Sequence, residues 1–393
     1  MEAEGPPAGP RLDASTLWTL LAGNALTQVG IGFFLPILPL FISSRGGSPL
    51  LVGVVFAAGM VGRSLAQYPG GWLADRAGRR PVILGSLLLY ALIFPLYTLP
   101  VPVPALAAIR LAQSLAAGAY LPAALALAAD LTPARSRGRV FSQLRASDMV
   151  GLLLGPALGG FVAGFRLELV FWAGALICLG ATLLLLRLPA GRAAGSAVPA
   201  GAEPTPVQPL RLLWMLLPVV ALAAPVMWTF GAYDTVWSLY LTSRGASTFV
   251  VGLSFATYAL PIVLFAGLAS GLADRLGPVR AGALALLTHG LLACVYPFVA
   301  SVPALVVIGL VEGALTAAGF PALNAETSRL APPGAQGRTQ AVYQLALSAA
   351  EVSGAVVSGL LYGIRPAYAF FGAAAACLLG VAGSLALRRA RPA

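Results

Sequence analysis

The sequence predicts an all-α membrane protein, with 12 transmembrane helices arranged as two six-helix bundles. Three observations carry that expectation. Hydrophobic residues fill 59% of the 393 positions and charged residues only 9%, a balance that a water-facing surface does not tolerate. Apolar stretches recur along the chain, each near the roughly twenty residues a helix needs to cross a hydrocarbon core of about 30 Å. Finally, the two halves of the chain repeat in one frame, Leu73 answering to Leu272 at a shift of 199 residues.

The apolar stretches fall at 16–42, 50–71, 81–100, 103–129, 139–164 and 168–188, then at 211–242, 249–271, 279–299, 302–328, 338–363 and 366–387. The first is too long for the core of a signal peptide and follows a polar start, so it is expected to be retained. The expected organisation is a tail over 1–15, a first bundle over 16–189, a linker over 190–210, a second bundle over 211–388 and a tail over 389–393. The linker is the one long interior stretch that is poor in hydrophobic side chains and rich in Gly, Pro and Ala, the composition of a flexible connection.

All 24 basic residues are arginine, and their distribution predicts orientation. With the N-terminus inside, 17 fall in cytoplasmic segments, four on the far side (Arg45, Arg166, Arg244, Arg365) and three within spans (Arg63, Arg110, Arg145). The positive-inside rule then predicts a multi-pass protein of the cell membrane with both termini in the cytoplasm. The net charge of +11 is spread over short loops, so it reports orientation and not a nucleic-acid surface. Cys178, Cys294 and Cys377 all fall inside spans without paired spacing, which points to packing and away from a disulfide framework or a metal site.

The repeat holds over more than a hundred residues. Ser44-Arg45-Gly46 returns as Ser243-Arg244-Gly245, Leu73-Ala74-Asp75-Arg76 as Leu272-Ala273-Asp274-Arg275, Gly78 as Gly277, Pro122 as Pro321, and Gly155 and Gly160 as Gly354 and Gly359. Six spans per copy give both copies the same orientation. Such a parallel repeat places a cavity between two similar bundles, and rocking one against the other exposes it to each side in turn.

Three motifs make the reading specific. After the second span comes Gly71-Trp72-Leu73-Ala74-Asp75-Arg76-Ala77-Gly78-Arg79-Arg80, expected as a loop in which Gly71 allows close helix approach, Gly78 a tight turn, and Asp75 an acceptor for a helix N-terminus. The fifth span carries Gly151, Gly155, Pro156, Gly159 and Gly160, a small-residue face with a proline that permits a bend. The fourth opens with Arg110 and runs through Gln113 and Ser114 to Gly118. Together these resemble the Major Facilitator Superfamily, in particular its 12-helix drug:proton antiporters. The resemblance implies alternating access and makes the first motif a cytoplasmic latch, with Asp75 facing the start of the eleventh span near Arg338. It also ties the glycine-proline motif to antiport, against the plainer reading of a packing face. The second latch copy departs from the pattern, with Ser270 in place of Gly71 and Pro278-Val279 in place of the paired arginines, and is expected to hold less well through Asp274 and Arg275.

Ionisable groups inside the spans are the remaining signal, because charge in hydrocarbon is costly and marks function or a structural pair. Arg110 reads as a counter-ion or an outward-reaching anchor. The acids are Asp148, Asp234, Glu312, Glu326 and Glu351. By resemblance the first, fourth, seventh and tenth spans line the cavity, which singles out Asp234 and Glu312 as proton carriers, with Gln113 as the repeat-mate of Glu312. Glu326 stands three residues before Arg329, and Arg145 three before Asp148, so local ion pairs compete with function there. Glu351 is matched with Arg63 across the halves. The antiporter group carries an acid in its first span, whereas Asn24 and Gln28 are the polar residues here. His289, the sole histidine, reads as a packed or hydrogen-bonded side chain.

The expected function is secondary active transport of a small molecule, with proton-coupled efflux of amphipathic or drug-like compounds favoured. A uniporter or symporter for a sugar or organic anion, and a lipid or glycolipid flippase, stay open. The expected partners are the substrate, protons and the bilayer, the expected state a monomer. No cofactor, metal or enzymatic activity is expected, since no phosphate-binding loop, ligand cluster or nucleophile triad stands out.

Overall fold

The computed structural model describes residues 13–133, 136–189, 209–332 and 335–389; most of the expected linker lies outside the described residues. The described residues contain helices and turns and no strand. In chain order the helices are α1 (Ala14–Ser44), α2 (Pro49–Ala77), α3 (Arg79–Thr98), α4 (Ala105–Leu131), α5 (Arg137–Ala163) and α6 (Leu169–Leu185). The second set is α7 (Pro209–Ser243), α8 (Thr248–Leu264, continued as Ala266–Leu276), α9 (Pro278–Phe298), α10 (Val302–Leu330), α11 (Gln336–Ile364) and α12 (Pro366–Arg389). Ten are long and apolar enough to cross a membrane; α6 is one residue short of that length, and α8 reaches it across its break.

The repeat is visible in the backbone. Among the described residues the four glycines with positive φ form two repeat pairs, Gly46 with Gly245 and Gly78 with Gly277, each closing a tight turn that a side chain would strain. Ser48 and Ser247 cap α2 and α8 by accepting from Leu51 N and Val250 N. Both α4 and α10 break at matching points, after Gly118 and after Thr316.

The motif expected as a loop is mostly helix. Helix α2 runs to Ala77, and Gly78 alone, at φ 95°, turns the chain into α3. The close approach expected at Gly71 falls one residue earlier: a Cβ on Gly70 would stand 2.5 Å from Ala119, whereas one on Gly71 would reach Pro122 at 4.0 Å.

The halves join through α2 against α11 and α5 against α8. Glycines bring these backbones together: a Cβ on Gly160 would lie 2.4 Å from Thr248 O, and one on its mate Gly359 would lie 2.4 Å from Pro49 O. Gly155 and Gly354 serve each bundle internally, against α1 and α7. All the inter-half contacts of this kind lie toward the arginine-poor face. Toward the arginine-rich face α2 keeps only the stripe Gly62, Ala66, Gly70 and Ala74 buried, while Leu65, Tyr68 and Trp72 are exposed. The bundles therefore meet at one face and part toward the other.

Candidate functional site

The cleft between the bundles gathers the charged residues of α2, α4, α7 and α11. Arg63 donates to both carboxylate oxygens of Glu351, at 3.2 and 3.1 Å, and Ser64 bonds to Ser348 beside it, so the expected pair across the halves is formed. Asp234, in mid-α7, is half-buried and makes no hydrogen bond or ion pair among the described residues. The charges that reach it are Glu351, Arg63 and Arg110. A carboxylate inside a membrane span without a direct partner is costly and marks a candidate functional group.

Arg110 is neither salt-bridged nor extended outward. Its guanidinium lies 4.9 Å from the centre of the Phe34 ring and donates to Gln113 Oε1 at 3.1 Å, in space that only a glycine at position 59 leaves open. Gln113 Oε1 also accepts from Tyr97 at 3.0 Å. The second bundle repeats this arrangement with different chemistry: Tyr296 donates its hydroxyl to Glu312 Oε2, and His289 Nδ1 stands 2.8 Å from Glu312 Oε1. Tyr90, Tyr97 and Gln113 answer to His289, Tyr296 and Glu312 at the 199-residue shift, so the repeat would have exposed this cluster, which reading His289 by itself missed. Glu312 is 1% exposed and His289 3%, so both are buried within the second bundle.

Asp148 belongs to a third cluster. Its Oδ1 accepts from Asn24 at 2.7 Å and Gln28 at 3.0 Å, and its Oδ2 is 3.6 Å from Arg145. Asn24 also accepts from Tyr120 at 2.9 Å, so the polar residues of α1 hold an acid supplied by α5 and do not line the cleft by themselves. No spacing along the chain announces this contact, since the partners are more than a hundred residues apart. Glu326 and Arg329 form the expected local pair at 2.8 Å.

The latch motif braces the first bundle. Arg79 pairs with Asp75 and reaches Asp130 on α4 at 3.4 Å, while Arg80 donates to the Leu186 carbonyl after α6. Arg76 stacks 4.3 Å over Trp72. Asp75, expected to face the start of α11, is ion-paired here with Arg79 of its own bundle. Asp274 and Arg275 are exposed and form no ion pair among the described residues. Gly151, Gly155 and Gly159 press against α1, Gly160 against α8, and the Pro156 carbonyl lies where a Cβ on Gly252 would stand 2.1 Å away.

Two repeated bundles spanning a membrane, with a charged cleft open at one face, define a polytopic membrane transporter. Comparison with known proteins agrees. The Major Facilitator Superfamily profile matches residues 20–243 and 219–393, and the chain belongs to that superfamily. It is 24% identical over 387 residues to multidrug resistance protein 2 of Bacillus subtilis, covering 94% of each chain. It is 31% identical over 286 residues to the 3-(3-hydroxy-phenyl)propionate transporter of Escherichia coli, covering 70% of this chain and 68% of that one. Among solved structures, a bacterial homologue of the human lysosomal transporter Spinster, inward-facing and occupied, superposes with a TM-score of 0.77 at 15% identity over 95% of this chain and 96% of that one.

Proposed function

We propose that this transporter exports amphipathic, cationic small molecules in exchange for protons by alternating access. Asp234 carries the reading. It is an acid in the cleft with no direct partner, and either a proton or a cationic substrate neutralises it. Two ligands competing for one carboxylate cannot ride together, and that exclusion is the physical content of antiport. The Arg63–Glu351 pair lies beside it and bridges the halves, so a change of charge at Asp234 acts directly on an inter-bundle contact. Glu312, already held by Tyr296 and His289, is the second proton-exchanging group in this scheme.

The arginine-rich face is the cytoplasmic one in this proposal, which makes the described arrangement inward-facing with both termini inside. The bundles over 16–189 and 211–388 rock about the glycine contacts as monomeric units joined by the 190–210 linker. When the open face closes, Asp75 exchanges Arg79 for the start of α11, where Arg338 stands.

A second reading has its own support: Arg110 has no carboxylate partner among the described residues, and one relative is a transporter of an aromatic acid. Reconstitution into liposomes separates the two. With an imposed proton gradient, cationic dyes such as ethidium should be moved against their own gradient, and an uncoupler should stop them. Movement of aromatic carboxylates in place of cations, or transport indifferent to the gradient, overturns proton-coupled cation export.

A further inference from the structure

Apart from the cleft between the halves, the second bundle holds an internal cavity of about 170 Å³ among α7, α8, α9 and α10. It sits where α8 and α10 are both broken, at Phe265 and after Thr316. Its walls are mostly apolar, with Phe230, Tyr258, Ile262 and Phe320 around it, and His289 is its one ionisable wall apart from the phenol of Tyr258. A cavity of roughly this size admits a single substituted ring, since one of about 150 Å³ in another protein accepts benzene.

The histidine at this wall is built to receive something. Its side chain is 3% exposed, and Nε2 has no hydrogen-bond partner. A buried polar atom left without a partner costs on the order of 1–3 kcal/mol, so native proteins rarely keep one idle. Nδ1 stands against Glu312, whose other oxygen accepts from Tyr296. A histidine ring nitrogen without its own hydrogen can accept, and Nε2 is the ring nitrogen left without a partner while Nδ1 stands beside the Glu312 carboxyl. The cavity therefore combines aromatic walls with one unpartnered ring nitrogen.

We propose that this cavity is a binding subsite for an arylmethylammonium part of a substrate, with the ring among Phe230, Tyr258 and Phe320 and the ammonium N–H donated to His289 Nε2. The assignment rests on the export reading for its physiological occupant and on geometry alone for the site. It differs from a binding site in the cleft: occupancy is read by His289 and lies inside one bundle. The aromatic faces favour a cation by their quadrupoles.

The test uses the full-length protein in lipid nanodiscs and two probes of nearly equal shape at pH 7.4. N,N-dimethylbenzylammonium carries one N–H, and benzyltrimethylammonium carries none. The wild type should bind the first at least about tenfold more tightly by calorimetry, the value of one charge-assisted hydrogen bond. Ile262→Trp, which fills the cavity from the opposite wall and leaves His289 and Glu312 in place, should weaken both probes. His289→Leu combined with Glu312→Gln, which avoids stranding a buried charge, should erase the difference between them. Equal binding of the two probes by the wild type, tighter binding of benzoate than of either, or full affinity in Ile262→Trp each overturns the assignment. Proteoliposome transport keeps the two readings apart. Gradient-driven dye export unaffected by dimethylbenzylammonium and by Ile262→Trp sinks the subsite alone, whereas probe binding without gradient-driven export of any solute sinks the export reading alone.

Discussion

Placing one methyl group on Gly252 should open the face that is closed here. A Cβ there would stand 2.1 Å from Pro156 O, about 1.3 Å short of ordinary contact, and one on Gly160 would stand 2.4 Å from Thr248 O from the other side. Both obstacles are backbone atoms and no rotamer relieves them, so α5 and α8 must part by about that distance. Overpacking of this kind costs roughly 1–3 kcal/mol. Because it falls only on the state in which these helices touch, Gly252→Ala should shift the balance between closed and open outer faces by about 5- to 150-fold. Spin labels on Arg166→Cys and Thr242→Cys, in a background with the three native cysteines replaced by alanine, report the separation of the outer ends by double electron–electron resonance. The expected result is a new, longer-distance population in Gly252→Ala. Gly363→Ala is the control, since nothing lies within 4 Å of a Cβ at that glycine. Identical distance distributions in Gly252→Ala and wild type would refute the reasoning that backbone contact at this crossing holds the outer face shut.

Three further outcomes follow from other residues. Asp234→Asn should abolish gradient-driven export in proteoliposomes and weaken binding of the cationic substrate as well, because proton and cation share that carboxylate; retained coupling would remove Asp234 from the mechanism. Asp75→Asn should leave the open arrangement nearly unchanged, since the exposed pair with Arg79 is worth at most about 1 kcal/mol, and should slow or weaken closure of the arginine-rich face. Cross-linking between the inner ends of α2 and α11 measures that, and wild-type rates would confine the motif to bracing the first bundle. Asp13, ahead of α1, accepts from Thr16 N at 2.7 Å, and this bonding to Thr16 holds its carboxyl below the ordinary range. A depressed carboxyl stabilises the folded state above its unfolded value, so protection of the Thr16 amide in hydrogen exchange should be lost as pH falls through the folded value. Asp13→Ala should show low protection at every pH, and an unaltered profile in that variant would assign the protection to helix packing instead.

How far the fold was legible depended on the kind of information involved. The spans, their number and the repeat are properties of the chain read along itself, and the 199-residue register even matches the two pairs of positive-φ glycines. The local ion pair of Glu326 with Arg329 was equally legible, because three residues on a helix fix the geometry without reference to any other helix. The Arg63–Glu351 match succeeded because the superfamily resemblance supplied which helices meet. The Asp148 cluster had no such guide. Its donors come from α1, its acid from α5 and a further hydroxyl from α4, and only the rotation of each helix about its own axis brings them together.

The latch motif shows where the boundary falls. Its residues are an unmistakable signature in the chain, and Gly78 makes the turn its position implies. The ion pair that Asp75 makes is a local one, with Arg79 four residues on across the Gly78 turn. Under the proposed alternating access, one sequence carries contacts for two packings. Composition, hydropathy and repeat are common to both packings, so the sequence determined twelve spans, two related halves and the set of membrane-buried charges. Which charge meets which depends on the relative tilt of the halves, and that only the three-dimensional arrangement decided.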